Sequence, residues 1–223
     1  MKKLIVVAAV LLMFTATVSA QDFSFGVKGG MNLAKTSNFD NTFNTILHYA
    51  DFPYLTLNSA KMMPGFYVGA FVEGKFNDFI GISPEFVYSM QGTKYEGSVS
   101  VGEIGERFDS KMTLNYLNIP IMAKFYVTEG LSIDVGPQIG ILASAKFKVD
   151  GGDDSSDMKE MMKTFDMALG FGATYNINKF FIQGRYNLGL TDIVDWGENG
   201  MPSGLGFKAS KNNVLQVGVG VRF

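Results

Sequence analysis

Residues 131–147 read Leu131-Ser132-Ile133-Asp134-Val135-Gly136-Pro137-Gln138-Ile139-Gly140-Ile141-Leu142-Ala143-Ser144-Ala145-Lys146-Phe147. Odd positions carry Leu131, Ile133, Val135, Pro137, Ile139, Ile141, Ala143, Ala145 and Phe147. Even positions carry Ser132, Asp134, Gly136, Gln138, Gly140 and Ser144. Alternation with period two marks a strand with one apolar and one polar face. A soluble barrel or sandwich also alternates, so the size of the apolar face has to decide. The interior of an eight-stranded barrel is just wide enough to fill with side chains. Up to nine large groups per strand do not fit there. The bulky face therefore looks outward, into hydrocarbon, and the small polar face lines the lumen.

The pattern recurs at 23–33, 65–76, 79–91, 115–127, 164–176, 180–190 and 213–223, giving eight strands. The last has Leu215, Val217, Val219, Val221 and Phe223 on one face and Gln216, Gly218, Gly220 and Arg222 on the other. The fourth is the least regular, because Thr113 and Asn115 share parity with Leu117; this predicts a bulge or a start above the membrane. Ten charges lie in these strands: Lys28, Glu73, Lys75, Glu85, Lys124, Asp134, Lys146, Asp166, Arg185 and Arg222. All fall on the small polar face. A lipid-facing wall requires this, since a charge at the bilayer midplane costs ~2–4 kcal/mol. Eleven residues at ~3.3 Å, tilted ~45°, rise ~25 Å, the height of an outer-membrane apolar band.

The connections alternate in length. Asn77-Asp78, Thr128-Glu129-Gly130 and Ile177-Asn178-Lys179 are tight, whereas 34–64, 92–114, 148–163 and 191–212 are long. Short turns on one side and long loops on the other are the outer-membrane pattern. Phe23, Phe25, Phe76, Phe125, Tyr126, Tyr175, Phe180, Phe181 and Phe223 gather at the short-turn end, as an interfacial girdle. The expected fold is all-β: an eight-stranded, antiparallel, up-and-down transmembrane β-barrel, monomeric, with both termini periplasmic.

The N-terminus fits export. Lys2 and Lys3 precede the apolar run 4–14, and Val18-Ser19-Ala20 forms a small-residue cleavage site. Residues 1–20 are read as a signal peptide and 21–223 as the barrel domain. Cleavage leaves 17 basic and 21 acidic groups, a net of −4. With no cysteine and one histidine, thiolate metal sites, disulfide frameworks and multi-histidine centres are excluded. The near-neutral charge leaves no footprint for nucleic acid.

Gly26-Val27-Lys28-Gly29-Gly30-Met31-Asn32-Leu33, Tyr116-Leu117-Asn118-Ile119-Pro120-Ile121-Met122-Ala123-Lys124-Phe125, Val135-Gly136-Pro137-Gln138-Ile139-Gly140 and Arg185-Tyr186-Asn187-Leu188-Gly189-Leu190 resemble the PorT-like outer-membrane β-barrel family of Bacteroidetes-type bacteria. The resemblance spans nearly the whole mature chain. It implies a barrel in outer-membrane lipid, inserted by the barrel-assembly machinery, which reads a terminal strand like the one ending in Phe223. It also implies a link to an envelope or protein-secretion partner. It brings no catalytic residue.

Charges in a narrow lumen have to pair, because isolated buried charge is too costly. Glu73, Glu85, Asp134 and Asp166 are expected to meet Lys28, Lys124, Arg185 and Arg222, joined by Gln138 and Gln183, in a closed salt-bridged plug. The protein is then a non-catalytic structural or interaction barrel with four surface loops, serving secretion or envelope maintenance. Two other readings stay open: a narrow pore for ions or small solutes, and an outer-rim hydrolase built on His48 with Asp51 and Ser59. No G-x-S-x-G elbow supports the latter, and a surface histidine is the plainer reading. Asp150, Asp153, Asp154, Asp157 and Glu160 do not match the alternating spacing of a calcium loop, so no metal or cofactor is expected. Residues 157–163 suggest a short helical turn whose methionines cap the mouth or meet a partner. Trp196 is expected as an interfacial anchor. The stretch Phe52-Pro53-Tyr54-Leu55 is expected either to pack over the rim or to meet a partner. The glycines within strands are expected to make room for large inward side chains.

Overall fold

A computed structural model describes residues 22–49, 55–101, 104–150, 155–197 and 208–223. In chain order the elements are β1 (Asp22–Ser37), helix α1 (Phe39–Tyr49), β2 (Leu55–Lys75), β3 (Ile80–Val101) and β4 (Ile104–Tyr126). Then come β5 (Leu131–Val149), the short β6 (Ser155–Asp157), a 3-10 turn (Lys159–Met161), β7 (Phe165–Ile177), β8 (Phe180–Gly189) and β9 (Lys211–Arg222). The eight long strands pair antiparallel in sequence order, and β1 pairs β9 to close the ring. Strand β6 adds three residues to β5. The proposed signal peptide and Phe52-Pro53-Tyr54 lie outside the described residues; Leu55 opens β2.

Local chemistry makes the tight turns. Asn77 Oδ1 accepts the amides of Phe79 and Ile80 at 2.8 and 2.9 Å. Thr128 Oγ1 accepts those of Gly130 and Leu131 at 3.3 and 3.1 Å. Asn178 takes φ 54°, the left-handed conformation that two-residue hairpins need and Asn tolerates. Above these turns an apolar belt circles the outer wall, including Phe25, Val68, Phe86, Ile133, Phe171, Ile182 and Val219, all exposed. A wall this greasy suits lipid rather than water.

Parity corrects the girdle. Phe23, Phe25, Phe76, Phe125, Tyr175, Phe180 and Phe223 face outward, but Tyr126 and Phe181 are buried in the lumen. Consecutive residues on a strand point to opposite faces, so only one member of Phe125-Tyr126 and one of Phe180-Phe181 can join the girdle. Phe181 meets Phe71 edge-on, with ring centroids 5.4 Å apart. Gly220 makes room for it: a Cβ there would strike the Phe181 ring.

The ring is uneven. Strands β2 to β5 run 19 to 23 residues, whereas β7, β8 and β9 run 10 to 13. One wall therefore rises well beyond the belt. Its crest corrects the sequence reading of 92–114 as a loop: these residues pair as a hairpin from Gly92↔Thr113 to Val101↔Ile104. The reason is an inversion of polarity. Above the belt Tyr95, Met112 and Leu114 point inward, while Lys94, Glu96 and Lys111 point outward. A search for bulky residues on the outward parity passes over such a segment.

The irregularity expected around Thr113 and Asn115 is a bulge in the facing strand. Tyr116 pairs with Leu142 and Asn115 with Ser144, leaving Ala143 as an extra residue in β5. The bulge switches β5 to the other parity. Leu142 and Ala145 both face inward, and Lys146, placed in the lumen by unbroken alternation, is exposed outside.

Candidate functional site

The lumen is filled in three layers. The lowest is ionic. Glu73 accepts from Arg222 at 2.9 Å and from the Tyr126 hydroxyl at 2.9 Å, and Lys124 stands 3.6 Å away. Lys124 also pairs with Asp134 at 3.1 Å. Asp134 accepts from Ser132 at 2.8 Å and from Thr174 at 2.6 Å. Slightly higher, Glu85 takes two bonds of 2.7 Å from Arg185 and one of 2.6 Å from Lys28. The Arg185 contact is a fork-to-fork pair, the strongest geometry open to a carboxylate. Gln183 joins the two clusters: its oxygen accepts from Lys28 at 3.0 Å and its amide donates to Asp134 at 3.3 Å. Period-two geometry sends every one of these side chains inward, and ring closure brings opposite walls together.

Four cations thus meet three carboxylates, and Asp166 stands apart. It accepts from the Thr191 hydroxyl at 2.6 Å near the upper rim and meets no cation among the described residues. Gln138 is buried on the lumen side. Lys75 lies over the Tyr126 ring, 4.5 Å from its centroid. Phe223 ends the chain facing outward, its amide bonded to the Phe25 carbonyl at 2.7 Å.

The second layer is amide and hydroxyl. Asn32 donates to Ser89 at 2.8 Å and accepts from Gln216 at 3.0 Å; Asn187 donates to Gln216 at 3.0 Å. Gln91 bonds Ser89 and Asn212. Inward parity was a legible signal for this layer, but attention to charge passed it by.

The third layer is apolar and seals the mouth. Tyr95, Met112, Leu114, Tyr116, Leu142 and Ala145 on the tall wall pack against Phe39 of α1, Met158 and Met162 beside the 3-10 turn, and Ile193 and Val194. Asn44 pins α1 to β2 by bonding both the amide and the carbonyl of Leu57, at 2.7 and 2.8 Å. Trp196, expected at the membrane interface, instead packs on this cluster and donates to Asp192 at 2.7 Å. Burial holds the Tyr95 phenol well above its usual range.

His48 sits exposed in the last turn of α1. Asp51 lies outside the described residues, and Ser59 is a backbone partner of Glu96 in the sheet. Among the acidic residues of 148–163, Asp150 pairs with Lys111 at 3.8 Å and Asp157 caps the amide of Lys159 at 2.9 Å. The described residues contain no group of His, Asp and Glu able to hold a metal.

A model of the family described as "Outer membrane protein beta-barrel domain" matches residues 19–195. Among solved structures, the chain is similar to Neisserial surface protein A (NspA) of Neisseria. Identity is 16% and the TM-score 0.50, over 91% of this chain and 99% of that one. It is also similar to Ail, the attachment invasion locus protein of Yersinia pestis, solved with a heparin analogue, at 17% identity and TM-score 0.46 over 91% and 99%. For the outer membrane protein OprG from Pseudomonas aeruginosa the values are 15% and 0.39 over 90% and 95%. The likeness to NspA extends to the up-and-down barrel fold. No curated protein sequence matches the chain.

Proposed function

The chain belongs to the outer membrane protein β-barrel domain family, and from that premise we propose that it is a closed scaffold, which conducts no solute, catalyses no reaction and holds a structured cap at the cell surface. The observation that carries this reading is the filled lumen, ionic below, amide-bonded in the middle and apolar at the mouth. A permeating ion would have to displace paired charges and then cross a dry cluster. Each step is costly in a low-dielectric channel. The short turns and both termini belong in the periplasm, and the tall wall with its cap stands outside. The PorT-like sequence segments favour an envelope or secretion-system protein as the partner.

Planar-bilayer recording of the reconstituted mature chain tests closure. The expected trace is flat; sustained, well-resolved conductance steps would establish the narrow pore instead. Cross-linking in cells tests the scaffold. Replacing α1 with a short Gly/Ser linker is expected to remove the cross-linked partner while leaving barrel insertion intact, and an unchanged cross-link would refute a surface role for the cap. His48→Ala is expected to change no hydrolytic activity.

A further inference from the structure

Four lysines stand in one row across the tall wall. Lys61 on β2 is directly opposite Lys94 on β3, Lys94 is opposite Lys111 on β4, and Lys111 is opposite Lys148 on β5. All four point outward. Lys94 and Lys148 are exposed, and the Lys61 and Lys111 side chains keep 58% and 43% of their surface. Adjacent strands lie ~4.8 Å apart, and like charges directly opposed across them destabilise a sheet. The chain carries a net charge of −2, so composition does not force such a row.

Compensation within the protein is partial. Lys61 bonds Glu96, and Lys111 reaches Asp150 at 3.8 Å. Among the described residues Lys94 and Lys148 have no ion-pair partner. Asp109 precedes Lys111 by two residues on the outward parity of β4, opposite Glu96, while Asp157 lies opposite Lys146, a fifth outward lysine next to the row.

Height gives the row its meaning. On β2, Lys61 adjoins the exposed Met62. On β3 the row lies four residues past Met90, and on β4 six residues past Leu117, the last apolar side chains facing outward. Four to six residues of tilted strand climb about 9–14 Å. Polar headgroups occupy roughly 5–7 Å beyond the hydrocarbon on each side. A lysine reaches back toward that layer on its four-carbon stem. The ammonium groups therefore gather at headgroup level on one side of the barrel, and the repulsion among them is relieved by anions the lipid supplies.

We propose that this row seats the phosphate groups of an anionic lipid in the outer leaflet. It clamps the tall wall to the membrane and orients the barrel within it. The inference uses the outward orientation of the tall wall proposed above. Its test does not, because a nanodisc presents both leaflets alike; labelling of a cysteine introduced at Gly102 on intact cells reads the orientation separately.

The full mature chain is reconstituted in phosphatidylcholine nanodiscs with and without a minor share of bis-phosphorylated lipid A. Retained lipid A is counted by native mass spectrometry. The wild type is expected to enrich lipid A about fivefold over the bulk ratio. The variant Lys61→Gln/Lys94→Gln/Lys111→Gln/Lys148→Gln is expected to fall to the bulk ratio. A control that removes as many charges elsewhere, Lys35→Gln/Lys159→Gln/Lys163→Gln/Lys208→Gln, is expected to retain the enrichment. A second readout is thermal stability. Without lipid A the row variant should be the more stable, relieved of repulsion; with lipid A the wild type should gain and the variant should not. Equal loss in the control, equal enrichment of dephosphorylated lipid A, or preference for a soluble polyphosphate over the lipid would each overturn the proposal.

Discussion

Glu85 lies between Lys28 and Arg185, which come from β1 and β8. Removing its charge leaves two buried cations facing one another. Glu85→Gln is therefore expected to cost about 3–5 kcal/mol, the usual penalty for breaking a buried ion pair from one side. The urea midpoint for unfolding from lipid vesicles measures it. Glu85→Gln/Arg185→Gln should recover part of the loss, because one stranded charge goes with its partner. Tyr95 gives a pH test in the part of β3 above the belt. Its phenol has a raised pKa because it is buried. The sign follows from linkage: the folded state holds the proton more tightly, so this stability is full below the unfolded value of about 10 and is lost as pH rises past it. Protease resistance of the cap should fall at alkaline pH in the wild type and fall less in Tyr95→Phe. Glu85 was legible as inward by parity, whereas Tyr95 lies in the stretch 92–114 read as a loop. The partners of neither were legible, since parity names a face and no contact.

At the scale of the element, one residue decides how β5 is used. Below Ala143 the strand turns Asp134 and Gln138 into the lumen; above it, Ala145 faces the cap core and Lys146 and Lys148 face outward. A slip of one residue exchanges the two faces of a strand. Deleting Ala143 should remove the bulge and keep both faces, because Leu142 and Ser144 then sit opposite Tyr116 and Asn115 in an unbroken ladder, with Ala145 still facing the cap core and Lys146 still outward. The expected result is a barrel that still shifts on heating in gels and whose cap resists proteolysis like the wild type; rapid cutting within α1 and near Trp196 would show that Ala143 does more than shift the parity of the strand. The hairpin at 92–114 was missed in sequence for a related reason. It obeys the same period of two as the belt but with inside and outside exchanged, because its solvent is water and its core is dry.

At the scale of the molecule, the outer surface divides into an apolar belt and a polar rise, and substitutions should report the boundary. Ile119→Lys and Val135→Lys, within the belt, are expected to cost about 2–4 kcal/mol of folding into vesicles. Thr113→Lys, on the rise, should cost less than about 1 kcal/mol. Urea titration of the inserted protein distinguishes the two, and equal costs would mean that the belt does not face lipid. The unequal heights of β2–β5 and β7–β9 also make the cap one-sided, so the surface it offers is a wall rather than a symmetric rim.

The order and number of the long strands, the outward direction of their bulky face and the inward direction of charge at the level of the belt were all set by the chain as written. Each follows from a local rule, applied residue by residue: a period of two, and the cost of putting charge into hydrocarbon. The partners within the lumen, the height of the tall wall, the bulge at Ala143 and the packing of Met158, Met162 and Trp196 into a lid came only with closure of the ring. Lys28 and Glu85 are 57 residues apart, and Glu85 and Arg185 are 100 apart. The stagger that places such distant side chains at one level belongs to the closed sheet as a whole and to no segment of it.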